Sequence, residues 1–442
     1  MSAVLHRNLR ADPPVAVRGE GAYLIDSGGK RCLDASGGAA VSCLGHSHPA
    51  VIEAVQAQVA ALPYTHSTFF SSEPAERLAE HLMARAPAGF GAGRVAFVGS
   101  GSEAMEVALK LARQYFVEIG EPSRTRFIAR RMSYHGNTLG ALAVGGHAGR
   151  RAPYAPLLMD VTHIAPCYEY RGRREGETLE AFGARVAGEL EAEIVRLGPE
   201  TVAAFVAEPV AGAGLGCAPP APGYLARVRS ICDRYGVLFI ADEVMCGMGR
   251  TGVLFAVEDE AACPDIITIA KGLGAGYQPV AATLCSGRVA AAIEAGSGTL
   301  ANGHTYMGHP VACAAGLAVL ETIEREDLLA RVRERGAELR AALDARFGQH
   351  PHVGDIRGRG LFLALEFVAD RETKAPFPRE ARVAERLKAA AMDNGLICYP
   401  TAGCADGVSG DLVILAPPYT VESGQLEEAV EKLSASLSGV LP

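Results

Sequence analysis

The chain is short of paired cysteines, of long apolar runs and of excess positive charge, and each shortage counts against a class of protein. Its 11 cysteines are scattered, odd in number and include no C-x-x-C pair. That argues against a disulfide framework or a zinc site, and no metal is expected. Free thiols in a reducing compartment fit better. No stretch approaches the roughly 20 apolar residues needed to span a bilayer. The formal charge is -8, whereas binding a phosphate backbone needs a clustered basic surface. Short basic runs such as Arg171, Arg173 and Arg174 are isolated and read as solvated. Neither nucleic acid nor membrane is therefore expected as a partner. The opening residues, MSAVLHRNLRADPP, are too charged for a secretory signal, so a cytoplasmic location is expected. No internal repeat is visible, and no segment is rich enough in Pro, Gly or Ser to mark a flexible joint.

What is present is a globular balance, with 49% hydrophobic and 21% charged residues over 442 positions. Residues 1 to about 65 suggest short strands (AYLIDS, KRCLDA) and a helix from HPAVIEAVQAQVAAL. Beyond that, helical segments alternate with short apolar runs, several of them apolar throughout: RVAFVG, RFIARR, VAAFVAEP, VLFIAD, DIITIAKG and PVAATLCSG. Continuous rather than alternating apolar character suits strands covered on both faces. The expected class is α/β: a large domain over 66–310 with a mainly parallel, helix-flanked sheet. After residue 310 a long helical stretch, PVACAAGLAVLETIEREDLLARVRERGAELRAALDARF, precedes the strand GLFLALEF, another helix, LVILAPP and a last helix near 422–437. These point to a smaller α+β domain formed by 1–65 and 311–442.

Ligands of such sheets bind beyond the carboxyl ends of the strands. After RVAFVG comes Ser100-Gly101-Ser102 and then a helix, whose free N–H groups and positive dipole end can hold a phosphate. Alone, Ser-Gly-Ser is an ordinary helix cap. Tyr134 and His135 follow another strand; the tyrosine could offer its face to a flat ligand, although a core Tyr and a turn His are commoner. Glu208 ends VAAFVAEP. The nearby GAGLG lacks both the spacing and the strand-to-helix setting of a dinucleotide loop. Asp242 ends VLFIAD, and a carboxylate there is costly to bury without a cationic or hydrogen-bonded partner. Lys271 follows DIITIA; a lysine in a dry setting has a lowered pKa and becomes a nucleophile towards an aldehyde. Any single lysine at a strand end is more often a snorkelling one.

Together these residues form the set that pyridoxal 5′-phosphate requires. Its aldehyde needs a lysine and its phosphate a helix N-terminus. Its ring nitrogen needs a carboxylate to stay protonated and draw electrons.

The segments GSEAMEVALKLAR, YHGNTLGAL, AEPV, FIADEVMCGMGRTG, DIITIAKGLGAG and HTYMGHPVACAAGLAVLE resemble those of the class III, or omega, aminotransferases of fold-type I, over nearly the whole chain. The resemblance implies that Lys271 holds the cofactor and shuttles a proton. Asp242 would pair with the ring nitrogen, with Val244 packed beneath the ring. Tyr134 would stack above it, with His135 behind. Gly101 and Ser102 would donate to the phosphate, Glu208 would shape the network near Asp242, and Thr305 would reach the phosphate of a neighbouring subunit. A homodimer with shared sites, or a tetramer, follows, acting on an amine donor and a keto acid acceptor. Members that use 2-oxoglutarate often carry a gating glutamate after the EP pair. Here Ala213 stands near that position, which leans towards pyruvate. That branch often has a mobile arginine before a C-terminal PP, and none occurs in CYPTAGCADGVSGDLVILAPP. Carboxylate recognition is then expected from elsewhere, with Arg357 or Arg359 as candidates, while Arg250 is expected to be structural. An aminomutase, epimerase or decarboxylating transaminase on the same scaffold is the alternative. More remote ones are a nicotinamide oxidoreductase using GAGLG and a non-catalytic binding protein.

Overall fold

In the computed structural model, which describes residues 2–260 and 262–442, the centre is a seven-stranded sheet. Its strands are β1 (Arg94–Val98), β2 (Arg126–Arg130), β3 (Thr162–Ile164), β4 (Val202–Ala207), β5 (Leu238–Asp242), β6 (Ile266–Ile269) and β7 (Ala281–Cys285). They lie in the order β1-β7-β6-β5-β4-β2-β3. The pairs β2–β3, β2–β4, β4–β5 and β5–β6 are parallel, and β7 runs antiparallel to both β6 and β1. The expected α/β class with a mainly parallel sheet is what forms.

The apolar runs behave as their composition dictates. Every residue of β4, β5, β6 and β7 is buried. Alternate side chains point to opposite faces. Phe205, Phe239 and Ile267 join one apolar cluster, and Val206, Leu238, Ile240 and Ile266 the other. The first cluster includes the parallel-displaced rings of Phe205 and Phe239, 6.3 Å between centroids. The second packs on α1 (Gly101–Glu118), through Met105, Ala108, Leu109, Ala112 and Phe116. Even-numbered residues of β5 face α1, so this period carries on to Asp242 at the strand's end.

A third cluster joins residues from both ends of the chain, including Leu33 and Val51 with Leu339, Leu365 and Leu433. It underlies a four-stranded antiparallel sheet built from 353–359, 362–367, 411–415 and 399–402. In another small sheet, 396–397 pairs in parallel with 31–34, tying the two ends together. The stretch from Pro310 is two helices rather than one. Pro310–Arg325 and Leu328–Phe347 are separated at Asp327, which is left-handed with φ 47°, a conformation that ends an α-helix. All 11 cysteines are free. No helix among the described residues is long and apolar enough to cross a membrane, and none of their His, Cys, Asp and Glu side chains cluster to hold a metal.

Candidate active site

Of the predicted site residues, all but Thr305 line one cavity of about 440 Å³ at the carboxyl ends of the parallel strands. Thr305 is exposed and lines an adjacent cavity of about 610 Å³. Gly99, Gln278, Pro279 and Val280 are common to both.

The floor is Asp242. It is 3% exposed, and its carboxylate is almost fully engaged. Oδ2 lies 2.7 Å from His135 Nδ1, while Oδ1 accepts from Val244 N–H at 3.0 Å and from the Thr268 hydroxyl at 3.2 Å. His135 Nε2 is buried with no partner. His135 thus supports the carboxylate directly, rather than merely backing Tyr134. Thr268 was missed by sequence reasoning, although the parallel register sets it opposite Asp242.

Glu208 closes one side. Its Oε1 accepts from Gly212 N–H at 2.9 Å, and its Oε2 is buried without a partner. Burial raises its carboxyl pKa, against the pull of His135 and Arg130. Arg130, also missed, donates to the Glu208 carbonyl at 2.5 Å.

Lys271 lies just past β6 with φ 45°, a left-handed backbone that non-glycine residues seldom adopt and that clusters at functional sites. Burial lowers the pKa of its amine, while the charges of Asp242 and Glu208 pull it back up. A lowered pKa enlarges the neutral, nucleophilic fraction.

The helix end is built for close approach. Ser100 caps α1 by accepting from Glu103 N–H at 3.2 Å, and Glu103 reaches back to Gly99 N–H at 2.7 Å. Helix geometry leaves the N–H groups of Gly101 and Ser102 without intrahelical acceptors. A Cβ on Gly101 would stand 2.8 Å from Val244 Cγ1, so glycine is what lets the helix end sit against the loop after β5. The Ser102 hydroxyl accepts from Asn137 N–H at 2.9 Å, fixing the turn that carries Tyr134 and His135. Pyridoxal 5′-phosphate fits these groups. The bare helix end can hold a phosphate, Lys271 an aldehyde, Asp242 a ring N–H⁺, and the unpartnered Glu208 Oε2 a ring substituent.

The sequence candidates for carboxylate recognition are committed elsewhere. Arg357 is buried and bonded to Asp355, to Glu366 and to the Leu215 and Gly216 carbonyls. Arg359 pairs with Asp259 and Glu260. Arg250, 1% exposed, donates to the carbonyls of Leu361 and Pro417 and is structural. GAGLG is a buried loop, with Ala211 and Ala218 bridged across it, and it does not open directly into a helix, the next one starting only at Tyr224.

Glu243 turns away from the cavity, and its two oxygens accept from Val257 and Ala256 N–H at 2.9 and 2.6 Å. Burial raises its pKa to about 8, although the two amides pull it down. The folded chain therefore holds a proton that the unfolded chain releases. This stabilisation is complete below the ordinary 4.5 and fades as pH rises through about 8. Glu243→Gln should flatten that part of the stability curve. Between pH 5 and 8 the Tm of the variant is expected to fall less than that of the wild type; parallel curves would refute the assignment.

The family model "Aminotransferase class-III" matches residues 6–437. An uncharacterized aminotransferase of Schizosaccharomyces pombe is 48% identical over 430 residues, covering 97% of this chain and 93% of its own. The diaminobutyrate–2-oxoglutarate transaminase of Halomonas elongata is 36% identical, covering 96% and 90%. The omega transaminase of Pseudomonas jessenii, solved in complex with PMP, has a TM-score of 0.91 at 35% identity, covering 100% of this chain and 96% of that one. The chain belongs to the class III aminotransferases. It is a pyridoxal-phosphate-dependent transaminase of fold-type I, acting on small amine and keto acid substrates.

Proposed function

We propose that the enzyme moves an amino group from an amine or omega-amino acid to a keto acid, pyruvate in preference to 2-oxoglutarate, by a ping-pong cycle. The observation that carries this reading is the convergence of Lys271 and the His135-supported Asp242 on one cavity. Bound pyridoxal phosphate supplies the sink for the electron pair left when the donor carbon loses its proton. Lys271 anchors the cofactor and, once displaced by the donor, takes up that proton and returns it, as base and then acid. Asp242, held in place by His135, Val244 N–H and the Thr268 hydroxyl, would pair with the ring nitrogen and keep it protonated. Val244 and Tyr134, which line the cavity, would hold the ring, and the N–H groups of Gly101 and Ser102 would hold the phosphate.

The preference for pyruvate rests on Ala213. It is 4% exposed and packed with Val210, Met245 and Cys246, so no carboxylate stands there to swing aside for a longer diacid. A shared-site homodimer is supported by the exposed aromatic surface of Phe69, Phe70 and Tyr306, of the kind that marks an interface. Tyr64 extends it, its hydroxyl bonded to the Thr305 carbonyl at 2.9 Å. Thr305 would then serve the partner's phosphate.

Candidate amines added singly to the coloured enzyme should convert it to the pyridoxamine form, and pyruvate should restore the colour faster than 2-oxoglutarate. Faster recovery with 2-oxoglutarate would reverse the acceptor assignment. Sustained product formation without any keto acid would replace transamination by a mutase or epimerase reaction.

A further inference from the structure

Two carboxylates, Asp242 and Glu208, line the cavity, and a keto acid or amino acid brings another. Like charges repel in a partly dry site unless a cation intervenes. The arginines around the cavity are nearly all occupied. Arg130 and Arg131 donate to the Glu208 and His163 carbonyls, Arg151 to the Gly145 carbonyl, and Arg357 and Arg359 to acidic side chains.

Arg150 differs. Half-buried, it makes no side-chain hydrogen bond and no ion pair among the described residues. Its guanidinium lies over the Tyr134 ring, with Cζ 4.5 Å from the centroid, and Tyr134 is a wall of the cavity. The backbone behind it is fixed. Arg150 N–H donates to the His147 carbonyl at 3.1 Å, and Gly149 sits so close to the loop at 403–410 that a Cβ would stand 2.7 Å from the Gly407 carbonyl oxygen. A guanidinium held against an aromatic face keeps its in-plane N–H fork free, the geometry that takes a carboxylate in two parallel bonds.

We propose that Arg150 is the residue that recognises the substrate carboxylate. This rests on the transaminase reading and adds its specificity element: the Arg150 fork receives the carboxylate of the keto acid or amino acid, and the Tyr134 ring orients the fork. Its charge is also felt at Lys271. There it adds, as a minor influence beside burial, to the lowering of the amine's pKa, so a carboxylate bound at Arg150 would partly relieve that effect.

The test uses holoenzyme and one amine donor, with pyruvate and benzaldehyde as paired acceptors, the second having no carboxylate. In Arg150→Gln the ratio of kcat/KM for pyruvate to that for benzaldehyde is expected to fall by about 30- to 100-fold, mainly through the KM for pyruvate. Arg150→Lys, which keeps the charge but loses the fork, should recover part of that ratio. Propionate, an unreactive carboxylate, should bind the Gln variant at least about tenfold more weakly by calorimetry. An unchanged ratio with unchanged propionate affinity overturns the assignment of Arg150. A wild-type enzyme that transfers nitrogen to neither acceptor, nor to 2-oxoglutarate, overturns instead the transaminase cycle on which it rests.

Discussion

Lys271→Ala is expected to fold, to purify without the visible colour of lysine-bound cofactor, and to lose turnover by about 10⁴-fold or more. The size follows from two roles in one amine. A positioned general acid–base is typically worth about 10² to 10⁴, and the same nitrogen is the nucleophile that secures the aldehyde. The fold should survive because the side chain lines the cavity rather than an apolar cluster. Alanine inherits the positive φ of 45°, so the backbone strain is unchanged. The desolvation that lowers the Lys271 pKa disappears with the amine, so the Tm without cofactor should be equal or higher. Spectrum, melting curve and turnover measured on one preparation decide the matter. A variant that is still coloured and still active would remove the basis of the mechanism.

How much of this site was legible depended on whether a signal lay within one element or between two. VLFIAD and DIITIA announced buried strands because, their aspartates and Thr268 aside, every residue in them is apolar, and β5 and β6 are buried throughout. Asp242 and Lys271 were legible as the charged residues that end those apolar runs. The direction of β7 was not, since a run such as PVAATLCSG shows burial and carries no sense of orientation. The connection decides it. Between Ile269 and Ala281 there is only a short 3-10 turn, Lys271–Leu273, and a parallel return needs a longer crossover. Hence β7 comes back antiparallel.

Contacts between distant elements were harder. His135 and Asp242 are 107 positions apart, one in the turn after β2 and the other at the end of β5, with β4 between those strands, and nothing local pairs them. Arg357 was misread for the opposite reason. It lies in a hairpin with Glu366, turned at Gly360, and the alternation of antiparallel strands could have shown that this arginine already has its acid. Arg150 escaped notice because its meaning lies in what it does not touch, which no sequence pattern records. The division of the chain at 65/66 and 310/311 remains a proposal, best tested by limited proteolysis at those joints.

Asp242→Asn isolates charge from shape. The amide is nearly isosteric, and its oxygen can keep Val244 N–H and the Thr268 hydroxyl, now at 3.0 and 3.2 Å from Oδ1. Its NH₂ group then faces His135 Nδ1, 2.7 Å from the atom it replaces. That contact survives only if the imidazole turns its lone pair towards the amide and moves its proton to Nε2, which is buried without a partner in the present arrangement. The fold should therefore hold, at a cost of about 1–3 kcal/mol for the rearranged polar pair. The chemistry should not hold. Without a carboxylate beneath it the ring nitrogen loses its proton, and the charge that develops as the donor carbon is deprotonated is no longer drawn away. Removing one preorganised electrostatic partner typically costs about 10² to 10³ in kcat. Two further readings separate this from simple loss of cofactor. At saturating cofactor, a donor deuterated at the reacting carbon should show a larger isotope effect than in the wild type, because proton abstraction becomes the slow step. The Lys271 amine, deprived of the Asp242 charge that now raises its pKa, should titrate lower in the variant. An Asn variant within threefold of wild-type kcat, with the isotope effect unchanged, would mean that the buried carboxylate only braces His135 and that the ring draws its electrons by other means.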